Sequence, residues 1–148
     1  MFNDAIKMTG TLKLVLTDEN GNIKQEEEVK NLVVTVGKNY IASRMKDATA
    51  TAMTHMEVGT GTTAAAVGDT TLQTAVASSR VTLTSTTVTT NSVAYVATFP
   101  AGTGTGALTE AGIFNAASAG TMLCRTVFSV INKGAADTLG ITWTVTVN

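Results

Sequence analysis

The stretch LGITWTVTV at Leu139–Val147 alternates apolar with small polar residues more regularly than any other part of the chain. Successive side chains of a β-strand point to opposite faces, so this pattern predicts a strand with Trp143 on the face toward the core. Thr accounts for 29 and Val for 16 of the 148 residues, and both are enriched in strands. The composition therefore favours an all-β protein.

Weaker alternation recurs along the chain and predicts about eight strands at regular spacing. One segment, Gly37–Asp47, predicts a helix, with Thr35 as its N-cap and Tyr40, Ile41 and Met45 as its apolar stripe. The predicted strands are Thr11–Thr17, Asn22–Val34, Met53–Val58, Ser79–Thr90, Val93–Phe99, Ala107–Phe114, Thr121–Ile131 and Leu139–Val147.

This pattern predicts a jelly-roll-like antiparallel β-sandwich with one short α-helix. A length of 148 residues suits one domain. We expect an N-terminal arm at residues 1–9, followed by a single β-sandwich domain at residues 10–148.

Charge is scarce and unevenly distributed. Ten basic and eleven acidic residues give a formal charge of −1, which excludes a nucleic-acid binder driven by electrostatics. Fourteen of these 21 residues lie within Met1–Asp47. We therefore expect the remaining two thirds to have a neutral, hydroxyl-covered exterior, or one covered by other chains. The longest uncharged stretch, Val81–Thr109, is too rich in Thr, Ser and Gly to span a membrane, and no membrane partner is expected.

Few residues are suited to catalysis or metal binding. His55 and Cys124 are the only residues of their types and fall on different predicted strands, whereas zinc needs three or four ligands. The Glu26–Glu28 run alternates between two strand faces, which does not suit a metal. The glycine-rich loops lack the lysine and the spacing of a phosphate-binding loop. We expect no enzyme, no metal and no cofactor.

Glu110 is the one acidic residue of the neutral segment GALTEAGIFN. A carboxylate buried there without a partner would be costly. Arg125, Arg80 and Lys133 are candidate partners, and Arg125 is favoured because its strand follows directly after a short turn. We predict a structural ion pair between Glu110 and Arg125 that supports the turn at Asn115–Gly120; the alternative is an exposed Glu near a strand end.

Four strings together cover about half of the chain: NLVVTVGKNYIASRM (Asn31–Met45), GTGTTAAAVGDTTLQTAV (Gly59–Val76), TEAGIFNAASAGTMLCRTVF (Thr109–Phe128) and LGITWTV (Leu139–Val145). They resemble segments of the virion structural proteins of tailed bacteriophages. The resemblance implies a β-sandwich that assembles as a homotrimer in the particle and needs no active site.

Within that group, the expected function is that of a capsid cement (decoration) protein. It would be made in the bacterial cytoplasm and bind across capsomers on the head exterior, with the major capsid protein and its own copies as partners. One alternative is a tail fibre, adaptor or baseplate component that contacts the tail or a host receptor. Another is a carbohydrate-binding jelly roll, which is weakened by the presence of only one Trp, two Tyr and four Phe.

The expected arm contains three apolar residues, Phe2, Ile6 and Met8. Too short to fold alone, it should be loose in the free protein. Ordering it would cost roughly 1–2 kcal/mol per residue, so it would need a preformed apolar groove. Phe2, Ile6 and Met8 are therefore the candidate contacts with the capsid or with a neighbouring subunit.

Overall fold

The computed structural model describes residues 5–46 and 50–148, and within them the chain forms ten strands and one helix. The strands make two five-stranded antiparallel sheets that pack face to face, which confirms the predicted all-β sandwich with a single short helix. The elements are β1 (Met8–Thr17), β2 (Ile23–Lys30), β3 (Leu32–Val33), α1 (Thr35–Lys46), β4 (His55–Gly59), β5 (Val81–Thr82), β6 (Ser85–Thr89), β7 (Ser92–Phe99), β8 (Gly106–Phe114), β9 (Met122–Lys133) and β10 (Thr138–Val147).

The strand order is β2-β1-β10-β7-β6 in the first sheet, sheet A, and β3-β9-β8-β4-β5 in the second, sheet B. Strands β1 and β10 pair along their whole length, from Met8 opposite Val147 to Thr17 opposite Thr138. The two ends of the described chain therefore meet in the middle of sheet A.

The stretch that predicted the fold supplies the centre of the core. Trp143 is fully buried and lies opposite Leu12, while Val145 is also buried on the same face of β10. Leu14 and Leu16 extend this apolar row along β1. Thr and Gly occupy the alternate positions of β10 and face outward, so the predicted period of two is confirmed.

The strand predicted at Ser79–Thr90 is wrong as one element, because the chain changes sheets inside it. Leu83 donates its N–H to the carbonyl of Thr54, beside sheet B. The next residue, Thr84, donates its N–H to the carbonyl of Val96 in sheet A. Consecutive residues thus bond to different sheets, which separates β5 from β6.

The strand predicted at Asn22–Val34 is divided in the same way. It splits at Asn31, whose N–H donates to the carbonyl of Gly10. The part before Asn31 is β2 of sheet A, and the part after it is β3 of sheet B. Local composition favours a strand on both sides of the crossing, so the sequence carries little sign of it.

The predicted helix is present but begins two residues earlier, at Thr35. Thr35 is therefore the first helical residue rather than the N-cap, and its N–H donates to the carbonyl of Val67. Gly37 faces β9 so closely that a Cβ there would overlap the carbonyl of Leu123. This close approach explains a glycine inside the helix.

Two of the three residues in the predicted apolar stripe pack on the core. Tyr40 and Ile41 are partly buried against it. Met45 is 80% exposed, so its assignment to the stripe is wrong. No helix among residues 5–46 and 50–148 is long and apolar enough to cross a membrane.

Candidate functional site: a buried ion cluster and an uncharged sheet face

The structure brings Glu110 and Arg125 together on the outer side of sheet B. Glu110 lies opposite Val127 and Gly112 lies opposite Arg125, so the two charged residues are diagonal neighbours on one face. The Nε and Nη2 atoms of Arg125 are each 2.8 Å from Oε2 of Glu110. Both residues are buried, with 0% of Glu110 and 2% of Arg125 exposed.

The segment between β4 and β5, residues 60–80, covers this pair, and we call it the covering loop. Its backbone donates three hydrogen bonds to the Glu110 carboxylate. Oε1 accepts the N–H of Gly61 at 3.0 Å and that of Thr74 at 2.7 Å. Oε2 accepts the N–H of Gln73 at 3.0 Å. One carboxylate thus holds both arms of the loop against the sheet.

Arg125 binds the middle of the covering loop with its remaining donors. Its Nη1 donates to Oδ2 of Asp69 at 2.7 Å, and its Nη2 donates to the carbonyl of Thr63 at 3.0 Å. Asp69 in turn accepts the N–H of Ala66 at 2.9 Å. We call the three side chains of Asp69, Glu110 and Arg125 the clamp.

Two glycines allow the covering loop to approach the clamp. A Cβ on Gly59 would lie 2.6 Å from Oε1 of Glu110, and one on Gly61 would lie 2.5 Å from the same atom. Any side chain at either position would push the carboxylate away from its donors. The sequence excluded a phosphate-binding role for this glycine-rich loop but did not reveal its contact with Glu110. The signal was the pair of glycines at i and i+2 before a segment without charge.

The clamp is held in its ionised form. Burial by itself would raise the pKa of Glu110, but the hydrogen bonds from Thr74, from its neighbours in the loop and from Arg125 hold that pKa below its usual value. The N–H of Ala66 lowers the pKa of Asp69, and Arg125 adds to this effect. Burial opposes the charge of Arg125, but Asp69 and Glu110 raise its pKa. Each charge is matched by hydrogen bonds inside the protein, which suits a structural tie.

The prediction that this pair supports the turn at Asn115–Gly120 is wrong. Arg80 holds that turn instead, because its Nη1 donates to the carbonyl of Ala119 at 2.8 Å while its Nη2 binds Glu57 at 2.8 Å. The third candidate partner of Glu110, Lys133, donates to a backbone carbonyl at the end of β7. The three candidate bases therefore have three different partners.

Each of the seven charged residues after residue 47 forms an ion pair or a hydrogen bond with another part of the protein. Besides the clamp and the Arg80–Glu57 pair, Lys24 reaches across from β2 to bind Asp137 at 2.7 Å. This use of charge is the physical reason for the neutral exterior that the sequence predicted. The seven residues are Glu57, Asp69, Arg80, Glu110, Arg125, Lys133 and Asp137.

His55 and Cys124 do not form a site together. Cys124 is fully buried in the core, and burial raises its pKa. The Nδ1 atom of His55 lies 2.7 Å from the hydroxyl oxygen of its neighbour Thr54. In the part of the chain that the structure describes, no three His, Cys, Asp or Glu residues are placed to hold a metal ion.

Two of the three predicted capsid contacts, Ile6 and Met8, line one groove together with residues of β3 and α1. Phe2 lies outside the described residues. Ile6 is 73% exposed, whereas Met8 is half-buried and belongs to β1. Lys7 and Asn148 exchange two backbone hydrogen bonds of 2.9 and 2.7 Å. The arm expected up to residue 9 therefore ends earlier, because its last residues pair with the C-terminal strand.

Among the described residues, the outward positions of β1, β10, β7 and β6 are exposed or half-buried, so no described loop covers this side of sheet A. Across β1, β10, β7 and β6, the outward row Thr11, Thr144, Ala94 and Thr87 runs through aligned pairs. The neighbouring rows consist of Thr, Ser, Val and Gly apart from Lys13, which is the one charged residue among the outward positions of these four strands. We call this surface the threonine face.

Comparisons of the chain with protein-family models, with curated proteins and with solved structures gave no match.

Proposed function

We propose that the protein is a structural component of a tailed-phage virion, and specifically a capsid cement protein. It binds across capsomers on the outside of the head, with the major capsid protein and other copies of itself, as a homotrimer, as its partners. The observation that carries this proposal is the threonine face. A wide surface with one charge suits contact with other protein surfaces, because charged residues are depleted at the centre of interfaces.

The clamp is built from two of the four strings that resemble phage virion proteins. Gly61, Asp69 and Thr74 lie in the string Gly59–Val76, while Glu110 and Arg125 lie in the string Thr109–Phe128. These two strings therefore meet in one buried cluster. A cluster that fixes a loop without an open reactive group is consistent with a mechanical role in a shell.

The carbohydrate-binding alternative is disfavoured by the placement of the aromatic rings. Sugar sites in proteins are commonly built on exposed aromatic faces. In the described residues Trp143 is fully buried, and the rings of Tyr95 and of every described Phe are also buried. Tyr40 is partly buried against the core. This arrangement leaves little ring surface to stack on a sugar.

The copy number in purified virions tests the proposal. Quantitative gel densitometry against the major capsid protein should give a copy number of the same order as that protein. A copy number far below it, with the protein on isolated tails, would support the tail alternative instead. Complete absence of the chain from purified virions would reject both roles.

Phe2 and Ile6 remain the proposed anchor to the shell. The structure refines the test, because Lys7 and Met8 are paired with the last strand and must be kept. Deleting residues 2–6 leaves β1 intact. Loss of re-binding to stripped capsids, with an unchanged melting temperature, would support the anchor, and unchanged occupancy would discard it.

A further inference from the structure

Edge strands differ in how much they invite pairing with another chain. An edge strand presents a row of unpaired backbone N–H and C=O groups, which proteins usually protect with charge or keep short. Among the described residues, sheet B ends in β3 and β5, which have two residues each. Sheet A ends in the longer strands β2 and β6.

These two long edges are treated in opposite ways. In β2, Lys and Glu occupy five of the eight positions, IKQEEEVK, which protects that edge. Strand β6 has the sequence STTVT, without charge or proline, and all five residues are exposed. Its pairing with β7 is regular, without a bulge. Of the described edge strands, β6 alone is longer than two residues and carries neither charge nor proline.

The side of β6 that faces the core is also uncovered. Thr86 lies opposite Tyr95, and Val88 lies opposite Val93, so both point to the same side as the core of sheet A. Tyr95 is buried, yet Val88 is 71% exposed. Sheet B ends at the short strand β5 and does not extend over Val88. The core-facing side of sheet A therefore extends, at Val88, beyond the part that sheet B covers.

We propose that β6 pairs with β6 of a second copy of this chain, antiparallel and about a two-fold axis, to join two copies of sheet A into one ten-stranded sheet. With the axis at Thr87, Ser85 lies opposite Thr89 of the second copy, and Thr86 lies opposite Val88 of the second copy. Cross-strand Thr pairs are favourable, and Val88 gains a neighbour on its exposed side.

A second copy suits this edge better than a peptide of different sequence. An uncharged strand has nothing for a charged partner to complement, whereas β-branched residues pair well with their own kind. Two-fold pairing also closes the assembly, because each β6 covers the other and no free β6 edge remains. The contact joins the threonine faces of both copies into one continuous surface. It does not depend on the capsid role, and it is compatible with a trimer formed through other surfaces.

Light scattering after size exclusion of the full chain, over a range of concentrations, tests the contact. Thr87→Lys places two like charges opposite each other at the axis, and we expect it to weaken association about tenfold or more. The wild-type assembly mass should then be halved, from dimer to monomer or from a pair of trimers to one trimer. Thr98→Lys is the matched control, since Thr98 is exposed on β7 of the same sheet but beyond its pairing with β6.

Val88→Lys is a second test variant, because it disrupts the same contact from the other face of β6. Circular dichroism should show that Thr87→Lys, Val88→Lys and the control Thr98→Lys are all folded. Halving of the mass by Thr87→Lys and Val88→Lys but not by Thr98→Lys would establish the contact. A wild-type chain that remains monomeric or trimeric at every concentration would overturn it. So would an equal response of the three variants, or no response of any.

Discussion

The two outer faces of the sandwich use the same kind of sequence in different ways. Sheet B is covered by a loop without regular structure, and the clamp of Asp69, Glu110 and Arg125 holds that loop with buried charge. Sheet A is left open, and its threonine face carries one charged residue, Lys13. On the side of sheet A the other charges lie on the edge strand β2, where Glu26, Glu28 and Lys30 are opposite outward residues of β1, so the buried charge is used under the covering loop and the exposed charge at an edge.

The largest expected effect comes from breaking the clamp. Arg125→Ala leaves the carboxylate of Glu110 buried without its cation, and removing one partner of a buried pair typically costs about 3–5 kcal/mol of unfolding free energy. Urea denaturation followed by tryptophan fluorescence measures it through Trp143 in the core. The contrasting substitution on the open face, Lys13→Ala, should change stability by less than about 0.5 kcal/mol.

A double-mutant cycle shows whether the clamp acts as a unit. The cost of Glu110→Gln with Arg125→Ala should be smaller than the sum of the single costs, because the double variant has no Glu110 carboxylate buried without its cation, although Asp69 loses Arg125 in both backgrounds. Additivity within about 0.5 kcal/mol would mean that Glu110 and Arg125 are not coupled.

The next effect concerns the glycines that admit the covering loop. Gly61→Ala places a methyl group 2.5 Å from Oε1 of Glu110, and overpacking of this kind costs about 1–3 kcal/mol. Gly68→Ala is the matched control in the same loop, because a Cβ there meets nothing within 4 Å. It should be neutral or stabilise by up to about 1 kcal/mol through the unfolded state. Equal melting temperatures for the two variants would contradict the close contact.

Regular strands could be predicted from the sequence, whereas the points at which the chain changes sheets could not. The strand Leu139–Val147 was predictable because its period of two is set by one buried and one exposed face. The crossings at Asn31 and Leu83 were not, since composition favours a strand on both sides of each and the change of sheet depends on distant partners. The alternation of apolar and polar residues indicates which side chains are buried, but it does not indicate which of the two sheets a strand joins.

The candidate site was predictable to a similar extent. Arg125 was identifiable as the partner of Glu110 from the cost of burying an isolated charge and from adjacency along the chain. The three N–H donors of the covering loop were not, because backbone groups leave no mark of their own in the sequence. Gly59 and Gly61 were the one indirect sign that the loop approaches Glu110 closely. Glycine occurs in loops for many other reasons, so this sign alone could not predict the contact.

Acid should weaken the clamp. The pKa values of Glu110 and Asp69 are lower in the folded protein than their usual values, so between the two values the unfolded chain binds more protons. Their stabilisation is complete above the ordinary carboxyl pKa of about 4 and is lost as the pH falls through the folded values. Stability measured by urea between neutral pH and pH 3 should therefore fall with acid.

Other carboxyls contribute to this slope, because Asp18 and Asp137 also have lowered pKa values. The informative quantity is thus the difference between the wild type and Glu110→Gln. The variant should be less stable at neutral pH and should lose less stability on acidification. Parallel pH profiles for the two proteins would show that the pKa of Glu110 is not lowered by folding.

The smallest effect on stability is expected on the open face, where the sharpest effect on binding should appear. Thr142 is exposed on β10 and lies opposite Lys13, which already has Glu28 opposite it on β2, so Thr142→Glu adds a second carboxylate beside that lysine and should stabilise the fold by at most about 1 kcal/mol. Folding is then unchanged or slightly improved, while a negative charge enters the middle of the threonine face. If that face contacts the shell, occupancy on stripped capsids should fall although the melting temperature does not. Undiminished occupancy would remove the threonine face from the binding surface and leave the residues before β1 as the remaining proposed contact.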